Sequence, residues 1–347
     1  MVGEGYKVGI VGATGAVGTT ILEVLAERGF PASEVVPFSS ERSAGTKISF
    51  GGGEIECRPL TPESIQGLDL VLSSAGGAVS AEWAPKLVEA GAVVVDNTSY
   101  WRMHDDVPLV VAGVNDDAAD GHNGIVANPN CTTMQAMVAL APIERSARLE
   151  RLVVSTYQSV SGTGREAIKE LNEQAAAVLG GDEVSVEVFP HQVAFNVLPQ
   201  VEKFVDGDDY TTEERKVMAE TRKILGLGDD VGISATCARV PVVSGHSESI
   251  NVQTREDLSP EDCRAMLEKT PGLVVMDDPA AGVYPTPLDA AGRDDVFVGR
   301  IRRDPSHERC LNLWVVGDNL RKGAATNAVQ VAEVLVERDL VRVPSAA

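Results

Sequence analysis

The sequence lacks the cysteine patterns that mark disulfide-rich and zinc-binding proteins. Its five cysteines are scattered along 347 residues, and no two of them form a CxxC pair. This distribution fits neither a disulfide framework nor a zinc site, so we expect no bound metal. It is typical of a reducing compartment, which we take to be the cytoplasm, where each cysteine serves either packing or chemistry.

Long apolar runs and an excess of positive charge are also missing. No apolar stretch approaches the ~20 residues of a membrane span, and the glycine-rich start lacks the charged region of a signal peptide. The 30 basic residues are outnumbered by 51 acidic ones, which gives a net charge of −21. We therefore expect neither nucleic acid nor a membrane surface as partner, although a local cluster of arginine and lysine can still hold a small anion.

Strand and helix signals alternate over the first 130 residues. Apolar strand patterns lie at 8–11, 35–38, 68–72, 92–95 and 124–127, and helical patterns at 17–26 and 81–90. Such alternation predicts a Rossmann-like α/β domain with a doubly wound parallel sheet, which binds ligands at the carboxyl ends of its strands.

The pattern changes from about residue 152. Longer strands are predicted at 152–160, 232–243, 247–254, 296–302 and 310–316, with helices at 165–179, 212–225 and 260–268. These elements predict an α+β second domain with a mixed sheet. A last helix at 324–338 is expected to return to the first domain. We therefore assign 1–130, completed by 320–347, to the first domain and 131–319 to the second.

A glycine loop follows the first strand and opens the first helix. Gly12, Gly15 and Gly18 are spaced so that main-chain N–H groups can approach a pyrophosphate at the positive end of the helix. The motif alone is weak, because glycines also form plain turns. Its place between a strand and a helix predicts a dinucleotide site.

The second strand ends in residues that favour NADP over NAD. An NAD site usually has an acidic residue here to bind the ribose hydroxyls, whereas this chain has Ser39, Ser40, Arg42 and Ser43. A guanidinium and hydroxyls suit a 2′-phosphate. The neighbouring Glu41 argues the other way, and a plain surface loop is the alternative.

Cys131 is the cysteine whose position predicts chemistry. It follows Asn130, a good N-cap residue, and precedes an apolar helical run at 134–140. A thiol in the first turn of a helix is favoured as thiolate by the helix dipole. We interpret the other four cysteines as packing residues, and Cys131 as a nucleophile that forms a thioester.

Covalent catalysis by a thiol needs a base, and the chain has only five histidines. His246 is the best candidate, because Arg239 lies seven residues before it. Two strand-like arms joined by a short turn could bring both side chains into one cleft. The alternative is a surface histidine in a turn.

Taken together, these motifs resemble the aspartate-semialdehyde dehydrogenase family. The resemblance covers nearly the whole chain and is carried in order by GATGAVG (12–18), SSERSAG (39–45), NTSYWRM (97–103), NPNCTT (128–133), STYQSVSGTG (155–164), TEERKVMAETRKIL (212–225), CARVPVVSGHSE (237–248) and GDNLRKGAATNAVQVAE (317–333). It implies NADP-dependent, reversible reductive dephosphorylation of L-4-aspartyl phosphate to L-aspartate 4-semialdehyde. The reaction belongs to the biosynthesis of lysine (through diaminopimelate), threonine, methionine and isoleucine, and a homodimer is implied.

The resemblance also implies a role for each matching residue. Cys131 would form the thioester, His246 would take its proton as acid/base, and Gln158 would orient the substrate. Anion-binding roles are implied for Arg239 with the substrate carboxylate, and for Arg102, Asn130 and Lys216 with phosphate, supported by Glu213. Contacts with NADP are implied for Thr14, Gly15, Ala16, Val17, Arg42, Ser43, Ser161, Gly162 and Asn319.

Two other functions are weighed against this one. The related N-acetyl-glutamyl-phosphate reductases use the same thioester logic, but their cysteine block typically reads NPGCYPT rather than NPNCTT. A catalytically inactive NADP-binding relative could lose the nucleophile or the base without harm to its fold, whereas this chain keeps Cys131, Gln158, Arg239 and His246.

Overall fold

The computed structural model describes residues 5–342, which form two compact units. The first unit consists of the described residues up to Asn130 together with those from Ala324 onward. The second unit is Cys131–Gly323. Within the described part of the chain, no helix is both long and apolar enough to cross a membrane.

The first unit is built on a parallel sheet. Its strands are β1 (Tyr6–Val11), β2 (Ala32–Ser39), β3 (Lys47–Phe50), β4 (Gly53–Glu56), β5 (Arg58–Pro59), β6 (Leu70–Ser73), β7 (Val93–Asp96) and β8 (Ile125–Ala127), and its first helices are α1 (Ala16–Arg28) and α2 (Gly77–Glu89). Six strands pair in the order β5-β2-β1-β6-β7-β8, all in parallel, while β3 and β4 form a separate hairpin. This order confirms the predicted Rossmann-like, doubly wound sheet.

The second unit is built on a mixed sheet. Its strands are β9 (Leu149–Gln158), β10 (Gly232–Arg239), β11 (His246–Thr254), β12 (Leu273–Val275), β13 (Val296–Arg303) and β14 (Cys310–Gly317), and its helices are α3 (Cys131–Ala147), α4 (Arg165–Gly180), α5 (Thr212–Leu225), α6 (Pro260–Leu267) and α7 (Pro287–Ala290). The strands pair in the order β10-β9-β11-β14-β13-β12, with parallel pairs at both edges and antiparallel pairs between them. This mixed sheet confirms the predicted α+β architecture.

Several predicted boundaries differ from the observed ones, and two of them are described here because they lie at the ends of important elements. The strand predicted at 232–243 ends at Arg239, because Pro241 has no N–H for a sheet ladder and the segment after it bonds to 160–161 instead. The last helix begins as a π-helical segment, Arg321–Thr326, in which Gly323 donates to the carbonyl of Asp318 five residues earlier. The α-helical part, α8, is Asn327–Glu337.

The last helix belongs to the first unit, as predicted. Its residues Ala328, Val329 and Ala332 are fully buried in the core that also contains Val8 and Leu70 from the parallel sheet. Arg28, the last residue of α1, forms an ion pair with Glu333 of α8. The end of the chain therefore completes the core of a unit formed mainly by the beginning of the chain.

Candidate active site

Three predicted active-site side chains lie in one row across the mixed sheet. Arg239 is the last residue of β10 and stands opposite Gln158, the last residue of β9, while His246 is the first residue of β11. All three are buried, with 5%, 1% and 0% of their surface exposed. The arms that carry Arg239 and His246 are not paired with each other, because β9 lies between them and places Gln158 in the middle.

The imidazole of His246 is held in one tautomer. The main-chain N–H of Ser159 donates to Nδ1 at 3.0 Å, and Ser159 Oγ also lies 3.0 Å from Nδ1. Because a main-chain N–H can only donate, Nδ1 must offer its lone pair, and the neutral ring carries its proton on Nε2. Complete burial and the charge of Arg239 hold the pKa of His246 well below its usual value, so the ring is neutral at pH 7.

This tautomer refines the role inferred from sequence. Nε2 is buried and has no hydrogen-bond partner within residues 5–342, so its proton is available to a bound molecule. The neutral ring is therefore set up to donate a hydrogen bond from Nε2 to a bound molecule. Taking the thiol proton from Cys131 at Nε2 would first require the ring to give up its bond from the Ser159 N–H.

A buried asparagine holds the loop around His246. Asn319 Oδ1 accepts hydrogen bonds from Ser159 Oγ at 2.9 Å, from Ser161 Oγ at 3.2 Å and from the N–H of Gly245 at 3.0 Å. Its Nδ2 donates to Ser161 Oγ at 2.9 Å. The side chain thus ties the residue before His246 to the segment that supports the Nδ1 side of the ring.

The guanidinium of Arg239 is fixed and charged. Its Nη1 donates to the carbonyl of Ser159 at 2.6 Å, and its Cζ lies 5.8 Å from the ring centre of Phe189. Burial lowers the pKa of Arg239, while the negative charges of Glu213 and Cys131 act in the opposite direction. An arginine remains protonated under such conditions and presents a planar fork for a carboxylate.

Helix α5 places Glu213 and Lys216 next to Gln158. Gln158 Nε2 donates to Glu213 Oε1 at 2.9 Å, and Lys216 Nζ lies 3.6 Å from Glu213 and 2.5 Å from Glu202. The adjacent Glu214 has a different task, because it forms the capping box with Thr211 at the helix start. Glu213 is therefore the glutamate of this pair that reaches the site.

Cys131 is the first residue of α3 and is the partly exposed cysteine of the chain. The other four are buried, and burial raises the pKa of Cys57, Cys237, Cys310 and, to about 12, that of Cys263. Those four thiols are protonated at neutral pH, whereas a thiol in the first helical turn lies at the positive end of the dipole. A Cβ at Gly323 would lie 3.0 Å from the Cβ of Cys131, so the glycine leaves room for the thiol side chain.

In the first unit, the glycine loop connects β1 to α1 at the carboxyl edge of the sheet. Gly12 has a φ of +85°, and a Cβ there would approach the main chain of Ala75 to 3.0 Å. A Cβ at Gly18 would lie 2.2 Å from the carbonyl oxygen of Gly12. Only glycine lets loop and helix pack this closely, which leaves the helix start with Thr14, Gly15, Ala16 and Val17 open to a phosphate group.

The residues predicted to bind the 2′-phosphate lie at the end of β2 and directly after it. Ser39 is the buried last residue of the strand, and Arg42 lies exposed in the short 3-10 turn Glu41–Ser43. An exposed guanidinium at this edge of the sheet fits a doubly charged phosphate.

Arg102 and Asn130 are buried side chains of the first unit. Arg102 donates from Nε to the carbonyl of Asn128 at 2.9 Å and from Nη2 to the carbonyl of Asn97 at 2.8 Å. Asn128 is held in turn by Asn327 of the last helix at 2.6 Å. The guanidinium is thereby fixed before any anion binds.

Sequence reasoning missed three polar residues next to the predicted site: Ser159, Gln135 and Glu248. Ser159 orients His246, and Gln135 Nε2 donates to the main-chain carbonyl of His246 at 3.2 Å. Glu248 is fully buried two residues after His246. Its position could have been predicted, because residues two apart on a strand share a face.

The chain is similar to known proteins over nearly its whole length. Residues 7–122 match the semialdehyde dehydrogenase NAD binding domain, and residues 140–322 match the semialdehyde dehydrogenase dimerisation domain. The chain is 52% identical to aspartate-semialdehyde dehydrogenase of Aquifex aeolicus over 341 residues, covering 97% of this chain and 100% of that protein.

Solved structures are similar over the same length. The crystal structure of aspartate semialdehyde dehydrogenase II from Vibrio cholerae complexed with ASA has a TM-score of 0.93 and 46% identity, covering 96% of this chain and 99% of that one. Aspartate semialdehyde dehydrogenase with NADP from Candida albicans has a TM-score of 0.76 and 25% identity, covering 96% and 99%.

Proposed function

Because the chain belongs to the aspartate-semialdehyde dehydrogenase family, we propose that it catalyses the NADP-dependent, reversible reductive dephosphorylation of L-4-aspartyl phosphate to L-aspartate 4-semialdehyde. The observation that carries this proposal is a partly exposed thiol at a helix start, in the same unit as the buried row of Arg239, Gln158 and His246. The reaction would serve the biosynthesis of lysine, threonine, methionine and isoleucine in the cytoplasm.

In this mechanism Cys131 provides the nucleophile. Its Sγ attacks the acyl carbon of the aspartyl phosphate, the bond from that carbon to the phosphate oxygen breaks, and inorganic phosphate leaves. The product on the protein is a thioester at Cys131. NADPH, when bound, would supply the hydride for reduction of the acyl carbon. Breaking of the carbon–sulfur bond then releases the aldehyde and regenerates Cys131.

His246 is proposed to interact with the reacting oxygen and its proton. The oxygen that gains negative charge when the thioester is reduced needs a hydrogen-bond donor, and the Nε2–H of His246 would be such a donor. When the carbon–sulfur bond breaks, this oxygen becomes the aldehyde carbonyl and keeps no proton. In the reverse direction Nε2 would accept the proton of the thiohemiacetal hydroxyl after the ring proton has moved to Nδ1, where Ser159 Oγ can accept a hydrogen bond from it. Ser159 keeps the ring orientation constant through both directions.

The remaining side chains bind and orient the anions. We assign Arg239 to the α-carboxylate of the substrate, because its guanidinium is fixed by Ser159 and leaves donors for a carboxylate. Gln158 orients the reacting group, with Glu213 holding its amide. Phosphate is assigned to Arg102, Asn130 and Lys216, as the family resemblance implies.

NADP is proposed as the cofactor, and the residues present fit it. Gly12 and Gly18 shape a loop that no larger residue could form, and Arg42 offers an exposed cation after β2. The Candida albicans relative with NADP supports this choice over NAD. Ser161, Gly162 and Asn319 of the second unit are proposed to contact the cofactor as well.

We also propose that the chain forms a homodimer through the second unit. Tyr157 and Trp314 lie on one face of the mixed sheet. The side chain of Tyr157 is 38% exposed, and the centres of the two rings lie 5.4 Å apart. A cavity on this face is lined by these rings with Tyr284, Arg300 and Arg302. Exposed aromatic residues with arginine are typical of protein interfaces, and the matching family model is described as a dimerisation domain.

The proposed function is tested by following NADPH formation from aspartate semialdehyde and phosphate. We expect turnover that requires both phosphate and NADP. Activity with N-acetyl-glutamate semialdehyde in place of aspartate semialdehyde would identify the chain as the related reductase. Cofactor binding without any turnover would identify an inactive relative.

Cofactor choice gives the first mutational prediction. Arg42→Ala should raise the KM for NADP by about tenfold and leave that for NAD nearly unchanged, because only NADP carries the 2′-phosphate. Lys47→Ala, which removes another exposed cation from the same unit, is the control and should affect neither. An equal loss with both cofactors would show that Arg42 does not bind the 2′-phosphate.

The two anion sites give the second mutational prediction. Arg239→Lys keeps the charge but removes the planar fork, which should cost about 1.5–3 kcal/mol of transition-state binding for aspartate semialdehyde. Arg102→Lys should instead raise the KM for phosphate. Each variant is the control of the other in steady-state kinetics with both substrates varied. The opposite pattern would reverse the assignment.

A further inference from the structure

A second row of the mixed sheet lies next to the row of Arg239, Gln158 and His246, and it contains a buried carboxyl group that the proposed mechanism does not use. Cys237 stands opposite Thr156, and Thr156 stands opposite Glu248. The side chain of Glu248 is fully buried, and neither of its oxygens has a hydrogen-bond partner within residues 5–342.

The neighbour of this carboxyl group is the side-chain amide of Gln135. Gln135 lies one helical turn after Cys131, and its Nε2 donates to the main-chain carbonyl of His246. Its Oε1 is buried and, in the described part of the chain, also lacks a donor. The sheet leaves space for this amide at Gly317, where a Cβ would lie 2.8 Å from Oε1. Gln135 therefore links the helix turn of the nucleophile to the strand start of the acid/base.

If Glu248 is ionised, three buried acceptor oxygens share at most the one N–H of Gln135 Nε2 that is not donated to His246. One proton on the carboxyl group would change this balance, because a neutral acid both donates and accepts, as an amide does. We propose that Glu248 is a positioning residue: as a neutral carboxylic acid it pairs with the amide of Gln135 and thereby holds Cys131 and His246 in place. This inference rests on the proposed function, in which those two residues carry the chemistry.

The surroundings of Glu248 favour the neutral form. Complete burial raises the pKa of Glu248 well above its usual value, and the neighbouring amide offsets this only in part. The residues that face it from β9, β14 and β10 are Thr156, Val315 and Cys237, of which the last is a thiol whose pKa is itself raised by burial. His246 on the same strand is neutral. None of these groups supplies the positive charge that a buried carboxylate would need.

The protonation state is tested by the stability of the intact enzyme against urea at about pH 6, 7 and 8, at one protein concentration. The unfolded chain ionises Glu248 at its ordinary pKa, whereas the folded chain keeps the proton, so wild-type stability falls as the pH rises through this window. Relative to Glu248→Gln, the wild-type unfolding constant should increase about tenfold per pH unit. A ratio that does not change with pH would mean that the carboxyl group is ionised in the fold, and would overturn the proposal.

Glu170→Gln is the matched control for this measurement. Glu170 is also a buried glutamate, but its oxygens already accept from Gln174 Nε2 at 3.0 Å and from the main chain at Glu187 at 3.1 Å. The stability of Glu170→Gln relative to wild type should therefore not increase as the pH rises. The stability measurement needs no enzymatic turnover, so its result is independent of the proposed function.

The positioning role is tested by kinetics. Glu248→Gln keeps a neutral group that donates and accepts, so kcat should stay within about threefold of wild type, whereas Glu248→Leu should lower kcat by about tenfold or more without raising the KM for phosphate. Gln135→Leu should produce a similar loss, and the double variant should lose no more than either single one. Wild-type kcat in Glu248→Leu, or additive losses in the double variant, would contradict the proposal.

Discussion

Replacement of Cys131 by serine should lower turnover of aspartate semialdehyde by about 10³-fold or more, while NADP binding stays intact. A serine hydroxyl is a poor nucleophile at neutral pH, whereas a thiol at the first turn of α3 is favoured as thiolate. The glycine loop belongs to the other unit, so cofactor affinity should not change. Steady-state kinetics and a separate NADP-binding titration measure the two effects.

The covalent intermediate provides the direct measurement. Incubation with aspartate semialdehyde and NADP without phosphate should accumulate a thioester that peptide mass spectrometry locates on Cys131. Cys310→Ala is the matched control, because Cys310 is buried at the start of β14, and this variant should retain turnover and the labelled peptide. A label on any other cysteine, or turnover by Cys131→Ala, would contradict the mechanism.

The second large effect is expected at His246. His246→Asn keeps an N–H donor but cannot transfer a proton, so kcat should fall by about 10²–10⁴-fold. The wild-type pH profile should lack an acid limb near the ordinary histidine value of about 6.5, because burial and Arg239 keep the ring neutral to lower pH.

Deuterium solvent effects and the pH profile separate this role from mere packing. His246→Asn should remove the solvent isotope effect on the proton step, whereas Ser161→Ala, which alters the nearby loop without touching the ring, should keep it. A normal acid limb near 6.5 in the wild-type enzyme would show that the ring is protonated there and that the Ser159 N–H does not set its tautomer.

Most of the fold follows from local patterns. The helix at 212–225 was predicted with its observed bounds, because Thr211 and Glu214 form a capping box at its start and Gly226 adopts φ +62° at its end. The parallel strands were predicted as apolar runs because both faces of that sheet are covered. The hairpin of β3 and β4 was missed, although Gly51 and Gly52 have the positive φ values of a tight two-residue turn.

Strand ends were harder to predict than strand centres. A strand was predicted over residues 240–243 because most of them are valine. The chain nevertheless leaves the sheet after Arg239 and forms main-chain hydrogen bonds with the segment that follows β9. Propensity describes single residues, whereas a ladder needs a partner strand with free donors and acceptors. That partner is specified by the tertiary fold.

By itself, the sequence determined the chemical groups of the site: a thiol at a helix start, a glycine loop after a strand, and the identities of Arg239, Gln158 and His246. Tertiary structure alone decided their arrangement, since sheet order placed β9 between the two arms and brought three residues into one row. It also decided which nitrogen of His246 carries the proton and left Glu248 buried beside Gln135. Tautomer and protonation depend on donors, acceptors and burial supplied by residues far apart in the chain, and these meet only when the sheet forms.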